Sequence, residues 1–170
     1  MMVKTLRHIL AILLLPFMAV IVLPAWLSHT FASADTHWDG MTSVSLAGYI
    51  AGALSVWFGF TLFMWCLNLF TIIGQGTLAP WDPTKKLVVA GPYRHVRNPM
   101  ITGVALILIG QALFWGSSVI AIWAGTFILI NHIYFILLEE PGLEKRFGES
   151  YINYKANVPR WVPRLNPWMD

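Results

Sequence analysis

All eleven lysines and arginines of this 170-residue chain fall in three of the five segments that flank or join four apolar stretches. The stretches are 9–27, 44–73, 99–115 and 119–138. A helical span of a bilayer takes roughly 17 to 25 such residues, so each qualifies or nearly does. Lys4 and Arg7 precede the first stretch. Lys85, Lys86, Arg94 and Arg97 follow the second, and Lys145, Arg146, Lys155, Arg160 and Arg164 follow the fourth. The connections 28–43 and 116–118 contain neither residue type. Four spans with both termini in the cytoplasm therefore put every basic side chain on the inner side, as the positive-inside bias requires.

Composition fits this arrangement. The chain is 57% apolar and 11% charged, where a soluble domain carries about 25% charged residues. The expected fold is an all-α integral membrane domain over 1–170. It has four transmembrane helices, of which the last two form a C-terminal helical hairpin across 116–118, followed by a cytoplasmic amphipathic helix. As one helix, 44–73 would reach about 45 Å and must tilt, break or protrude. A competing pattern exists at the N-terminus, where Lys4, Arg7, the apolar 9–23 and Ala32-Ser33-Ala34 resemble a signal peptide. The apolar run continues to Leu27, however, and leaves a long gap before Ala34, which favours a first span.

Several classes are set aside. The net charge of +3 does not point to nucleic acid, because the basic residues border apolar segments instead of forming a soluble basic face. Cys66 is the single cysteine, which excludes a disulfide framework or thiolate cluster. His29, Asp35, His37 and Asp39 are read as a solvated outer loop and not as metal ligands. Asn68, Gln111 and Asn131 are read as interhelical hydrogen-bonding groups.

Two constellations carry chemistry. In GPYRHVRNPMITG (91–103), Gly91 and Pro92 make a turn that aims Tyr93 at the bundle. Asn98 is placed as a helix N-cap and Pro99 as the first helical residue. The helix start beside Arg97 is then a site for a carboxylate or phosphate at the membrane surface. After the fourth span stand Glu139 and Glu140, read as lying at a helix C-terminus ahead of Pro141-Gly142. Carboxylates there oppose the dipole and require a cationic partner: Arg94, Arg97 or a ligand. His132 shares a face with Glu139. Leu143, Phe147, Tyr151 and Tyr154 give the following helix one apolar face, suited to covering a pocket or lying on the bilayer. The Pro- and Trp-rich tail is read as an extended segment at the interface.

GPYRHVRNPMITG followed by EEPGLEKRFGESYINYKANVPR resembles the isoprenylcysteine carboxyl methyltransferase and phospholipid methyltransferase families, over 74–164; the 1–73 part matches only as membrane helices. The resemblance implies an S-adenosylmethionine-dependent methyltransferase acting at the cytoplasmic face on a lipophilic small molecule, lipid or lipidated acceptor among membrane lipids. It implies that Leu87 and Val88 touch the cofactor, that Tyr93 lines its pocket, that Asn98, Pro99, Met100 and Ile101 wrap it, and that Glu139 binds its polar end. Many eukaryotic members have histidine in place of Asn98 and tyrosine in place of Ile101. The Arg-Asn-Pro-Met form looks bacterial, which implies an inner membrane. Arg97 is the candidate for the cofactor carboxylate. A carboxylate acceptor needs no base, whereas an amine acceptor does, and Glu140 and His132 are the candidates. Arg94 or Arg160 would steady an acidic acceptor. Rival readings are an NADPH-dependent reductase of the sterol-reductase type and a non-catalytic lipid-binding or adaptor protein.

Overall fold

A computed structural model describes residues 13–38, 40, 42–75 and 84–169 of the chain. Lys4, Arg7 and Asp39 lie outside the described residues. Among the described residues every regular element is helical and there is no strand. A π-helical stretch, Leu13–Val22, runs into α1 (Leu23–Thr30), and α2 is Ser43–Leu69. Then follow α3 (Pro99–Trp115), α4 (Ser118–Tyr134), α5 (Glu140–Phe147) and α6 (Glu149–Asn157). Among the described residues, two helices are long and apolar enough to cross a membrane: Ser43–Gly74 and Ser118–Phe147. Pro16–Thr30 and Pro99–Trp115 are apolar but shorter.

Thr42 and Ser45 close a reciprocal capping box at the start of α2. The helix then runs on without a break through a wide π turn, Phe70–Gly74. Its 32 residues span about 48 Å at 1.5 Å per residue. The chain leaves it through Gln75, held at φ 53°.

The fourth helix departs from expectation in the same way. Glu139 and Glu140 do not end it: α4 continues through a π turn, Phe135–Glu139, into α5. Pro141 has no N–H for the Leu137 carbonyl and its ring would crowd that group. Widening the turn relieves the conflict; the Glu140 N–H reaches back five residues to the Phe135 carbonyl. The carboxylates thus sit inside a continuous helix, and the dipole argument made from a helix end does not apply to them.

α2 and α3 run antiparallel and meet through glycine. A Cβ on Gly59 would lie 2.6 Å from the Gly103 carbonyl oxygen, and one on Gly52 2.7 Å from that of Gly110. The reverse pairings are as close, so the two backbones touch at two levels. Between those levels the Ser55 hydroxyl donates to the Leu106 carbonyl at 2.8 Å. Small residues that admit backbone contact are how apolar helices adhere where lipid removes the hydrophobic incentive. α1 is tied on by polar bonds. Pro24 cannot donate to the Val20 carbonyl, and Gln111 Nε2 donates to it instead at 3.0 Å. Trp123 Nε1 likewise donates to the Ala19 carbonyl at 2.9 Å. Gln111 is thus an interhelical group as expected; Asn131 instead bonds within its own helix, to the Phe127 carbonyl.

The loop after α1 is not simply solvated. Asp35 has a fully buried carboxylate. It accepts from the Ser117 hydroxyl (2.8 Å) and the Val119 N–H (3.0 Å), capping the start of α4. Thr36 donates to the Gly116 carbonyl and Trp38 Nε1 to that of Leu113. The orphan carbonyls ending α3 and the orphan donors starting α4 are therefore satisfied by one loop. Gly116, at φ 67°, turns the chain between them with the Trp38 ring against it.

Two measurements test this framework. Gly59→Ala drives a methyl group into a backbone oxygen and is expected to cost about 1 to 3 kcal/mol. Thermal unfolding in detergent reads this, with Gly125→Ala as the control because that glycine faces open space. For Asp35, burial raises the carboxyl pKa, but the bonds from Val119, Ser117 and Thr36 outweigh it and hold it below the usual carboxylate value. Its stabilisation is complete above the unfolded pKa of about 3.9 and is lost as pH falls through the lower folded value. The Tm gap between wild type and Asp35→Asn should accordingly be widest near neutrality and shrink in acid.

Candidate functional site

The segment entering α3 is extended at first, with alternate side chains facing opposite ways. Val88 joins the buried cluster of Phe63, Cys66, Tyr93, Met100 and Leu108, while Leu87 and Val89 pack against Tyr151, Tyr154 and Val158. Gly91 is needed twice over: it sits at φ 53°, and a Cβ there would come within 3.0 Å of the Trp65 ring. It opens the 3₁₀ turn Gly91–Arg94. That turn drives Tyr93 inward, where it stacks on Phe70 with ring centroids 5.6 Å apart. Burial pushes the Tyr93 phenol well above its ordinary pKa, and Cys66, Tyr154 and Glu139 add to the effect.

Asn98 does stand at the N-cap of α3 with Pro99 behind it, but its side chain caps nothing. Its ψ of 51° is not the extended geometry that lets a cap side chain reach the first-turn N–H groups. Asn98 Nδ2 is instead buried without a hydrogen-bond partner. The same holds for Arg97 Nε and for the Tyr93 hydroxyl, which has only the weakly hydrogen-bonding Cys66 thiol beside it. Three unpartnered polar atoms within residues 93–98 are a concentration that a packed interior does not normally tolerate.

Glu140 is 4% exposed and collects cations. Its Oε1 accepts from Arg97 Nη1 at 2.8 Å and Arg160 Nε at 2.7 Å, and Lys155 Nζ lies 3.1 Å from Oε2. Lys155 also pairs with Glu144 at 2.7 Å. The expected cationic partner is thus Arg97, joined by two residues from the C-terminal region. Arg94 is not a partner; its side chain is exposed. Glu139, one position earlier on the helix, is half-buried. It has the Tyr134 hydroxyl and the Arg146 guanidinium as polar neighbours.

The C-terminal region closes over the 94–97 segment. Arg97 N–H donates to the Pro159 carbonyl, Arg164 N–H to that of His95, and Trp168 N–H to that of Arg94, each at 2.9–3.0 Å. The Tyr154 hydroxyl donates to the Tyr93 carbonyl at 2.7 Å. The amphipathic face is carried by two helices, not one, because Gly148 at φ 56° breaks them. Leu143, Phe147, Tyr151 and Tyr154 cover Leu87 and Val89, so this face is spent on the entering segment. Trp161 Nε1 donates to His132 Nδ1 at 2.9 Å, and its ring meets Phe135 edge-on.

The structure therefore brings Tyr93, Arg97, Asn98, Val88, Met100 and Glu140 into one neighbourhood, with Leu87 behind it and Pro99 buried at the helix start. Ile101 is half-buried on the next turn, and Arg94 faces away. The bond from Trp161 to His132 was not legible: a tryptophan in a proline-rich tail signals only the interface. A groove of ≈ 470 Å³ lies elsewhere, lined by Trp57, Phe60, Gln111 and Trp115 among others, and a surface hollow on α6 is lined by Glu149, Ile152 and Asn153. The unpartnered atoms themselves sit behind a closed surface.

Residues 46–150 match the phospholipid methyltransferase family. The chain belongs to that family. A 63-residue stretch, 37% of the chain, is 36% identical to the whole of an uncharacterized protein from Haemophilus influenzae. A 76-residue stretch is 34% identical to methanethiol S-methyltransferase from Pseudomonas deceptionensis, covering 43% of this chain and 27% of that protein's length. No solved structure matches the chain. Membership of that family supports methyltransferase activity.

Removing the hub charge tests the ion network. Glu140→Gln leaves Arg97, about nine-tenths buried, without its counter-charge and should cost about 3 kcal/mol or more of stability. Thermal and urea unfolding in detergent check it, and an unaltered midpoint removes the structural role given to Glu140.

Proposed function

We propose that the protein transfers a methyl group from S-adenosylmethionine to a lipophilic acceptor at the cytoplasmic face of the membrane. The observation carrying this reading is the trio of buried, unpartnered polar atoms, Tyr93 Oη, Arg97 Nε and Asn98 Nδ2, inside the stretch that matches the family. Leaving such groups unmade costs about 1 to 3 kcal/mol each, which a ligand bearing carboxylate, hydroxyl or ring-nitrogen acceptors recovers.

The residues present fit the cofactor. Arg97 and Asn98 offer donors to its carboxylate at the start of α3, where the helix dipole also favours an anion. Glu139 suits its amine or a ribose hydroxyl. Val88, Pro99, Met100 and Ile101 supply apolar surface for its adenine, Tyr93 forms the floor, and Leu87, turned to the opposite side, backs the segment against the C-terminal helices. When bound, S-adenosylmethionine supplies an electrophilic methyl carbon on a sulfonium. Glu140 fixes Arg97 from behind, so the guanidinium is held in place before ligand arrives, and positioning of this kind supplies much of the rate of an in-line displacement. His132 and Trp161 stand on the α4 side, and Arg94 offers an exposed cation to an acidic acceptor at the surface.

The topology belongs to the same proposal. Pro16–Thr30 and Pro99–Trp115 join the two long helices as spans, α3 and α4 form a membrane hairpin, and both termini face the cytoplasm of a bacterial inner membrane. This leaves the basic residues on the inner side. The family match gives no support to the reductase and adaptor readings.

Calorimetric titration of the detergent-purified protein should show S-adenosylmethionine binding and no NADPH binding. Asn98→Leu and Glu139→Gln should weaken it at least tenfold, about 1.4 kcal/mol. Labelled S-adenosylmethionine incubated with a total lipid extract then identifies the product. Wild-type protein that binds no S-adenosylmethionine ends the proposal.

A further inference from the structure

We infer that the segment 158–169 is an anchor for an acidic lipid leaflet, and that seating it there holds residues 94–97 in their closed arrangement. The inference rests on the spanning arrangement proposed above and comes from what this segment turns outward.

The segment follows α6, has no helix or strand and contains three prolines. Its inward contacts are already assigned: Arg160 to Glu140, Trp161 to His132, and backbone bonds to residues 94, 95 and 97. Its outward side chains include Val162, Leu165 and Met169, exposed by 76%, 95% and 73%. They are the most exposed large apolar side chains among the described residues; the next, Ile122 on α4, stands at 70%. Scattered single apolar residues on a surface need no explanation, but a cluster more exposed than the flank of a membrane-length apolar helix does.

Depth and charge name the cover. Trp161 bonds His132 and sets its ring against Phe135, so the segment docks alongside the apolar part of α4. The exposed apolar belt of that helix continues beyond this level through Ile136, Leu137 and Leu138. At 1.5 Å per residue, Leu138 lies about 9 Å further along the axis than His132. Val162 therefore leaves the bundle where the neighbouring surface is still apolar, and the two surfaces are continuous. Residues 150–169 hold Lys155, Arg160 and Arg164 and no acidic residue. Lys155 and Arg160 are neutralised at Glu140. Arg164 donates only to the neutral Asn157 carbonyl, and Arg94, whose own carbonyl accepts from Trp168, is exposed. Among the described residues neither arginine meets a carboxylate. Apolar side chains interleaved with unpaired arginines suit a leaflet of acidic phospholipid, where insertion and charge attraction reinforce each other.

The attachment reaches the candidate site through the same segment. Lifting it abandons the Arg160–Glu140 pair, the Trp161–His132 bond and the three backbone bonds to residues 94–97. Lipid that holds Val162, Leu165 and Met169 opposes that lifting, so closure depends on the composition of the bilayer.

The test uses the full chain in bilayer discs of phosphatidylcholine, with and without phosphatidylglycerol. Hydrogen exchange is read at the N–H groups of Arg97, Arg164 and Trp168, which make the three backbone bonds. An arginine beside an acidic leaflet gains roughly a fivefold preference, so two of them should slow exchange roughly tenfold or more in the acidic discs. Val162→Ser combined with Leu165→Ser should remove most of that protection. A nitroxide attached at Leu165→Cys, with Cys66 fully buried and unlabelled, should collide with oxygen and not with a water-soluble nickel chelate. Labels at Ile122→Cys and Glu149→Cys give the lipid and water references. Exchange that is equal in the two bilayers, exchange unchanged by the double substitution, or a residue-165 label as open to nickel as that at 149 overturns the inference. Protection that follows protein density and not lipid charge also overturns it, marking a second copy as the cover. An Ile122→Cys label open to nickel overturns the spanning arrangement itself.

Discussion

A carboxylate with almost no solvent contact must be neutralised where it lies, and the end of the protein at which α3 begins is arranged around that requirement. Glu140 draws Arg97 from the start of α3, Lys155 from α6 and Arg160 from the tail. Those groups are distant in sequence and would not otherwise converge. Arg97 in turn fixes where α3 begins, and the tail that supplies Arg160 bonds the backbone of residues 94–97. The buried charge does little for net stability compared with an apolar core of the same volume, but it selects one arrangement of three segments. The unpartnered donors of Arg97 and Asn98 are held in that arrangement.

The rest of the helix bundle is assembled by different means. There the helices touch backbone to backbone at paired glycines, and proline-freed carbonyls on the first helix are satisfied by Gln111 and Trp123. Both devices answer one constraint. In hydrocarbon no water is available to complete a peptide group or to drive apolar faces together, so contact has to come from shape and from polar atoms that have no other partner.

The helical class and the two long apolar helices were legible in the sequence, because apolar run length survives without tertiary information. Arg97 and Asn98 were legible from the Asn-Pro pair that starts a helix. The end of the fourth helix was misjudged because Pro141 reads as a stop, while a π turn lets a helix pass one. The mutual engagement of Glu140, Lys155 and Arg160 and the bond from Trp161 to His132 depend on where the tail returns, which no local pattern encodes. Asp35 read as one polar residue among several in a loop; only the proximity of the α3–α4 turn makes it a cap.

That loop has a mechanical consequence. Because Thr36, Trp38 and Asp35 stitch the end of α3 to the start of α4, those ends cannot part without abandoning several polar bonds at once. At the opposite pole the start of α3 is held by Glu140 and by the tail, which bonds the backbone of residues 94–97. The hairpin of α3 and α4 is thus fastened at its turn by a loop from earlier in the chain and at its open end by the segment that follows it.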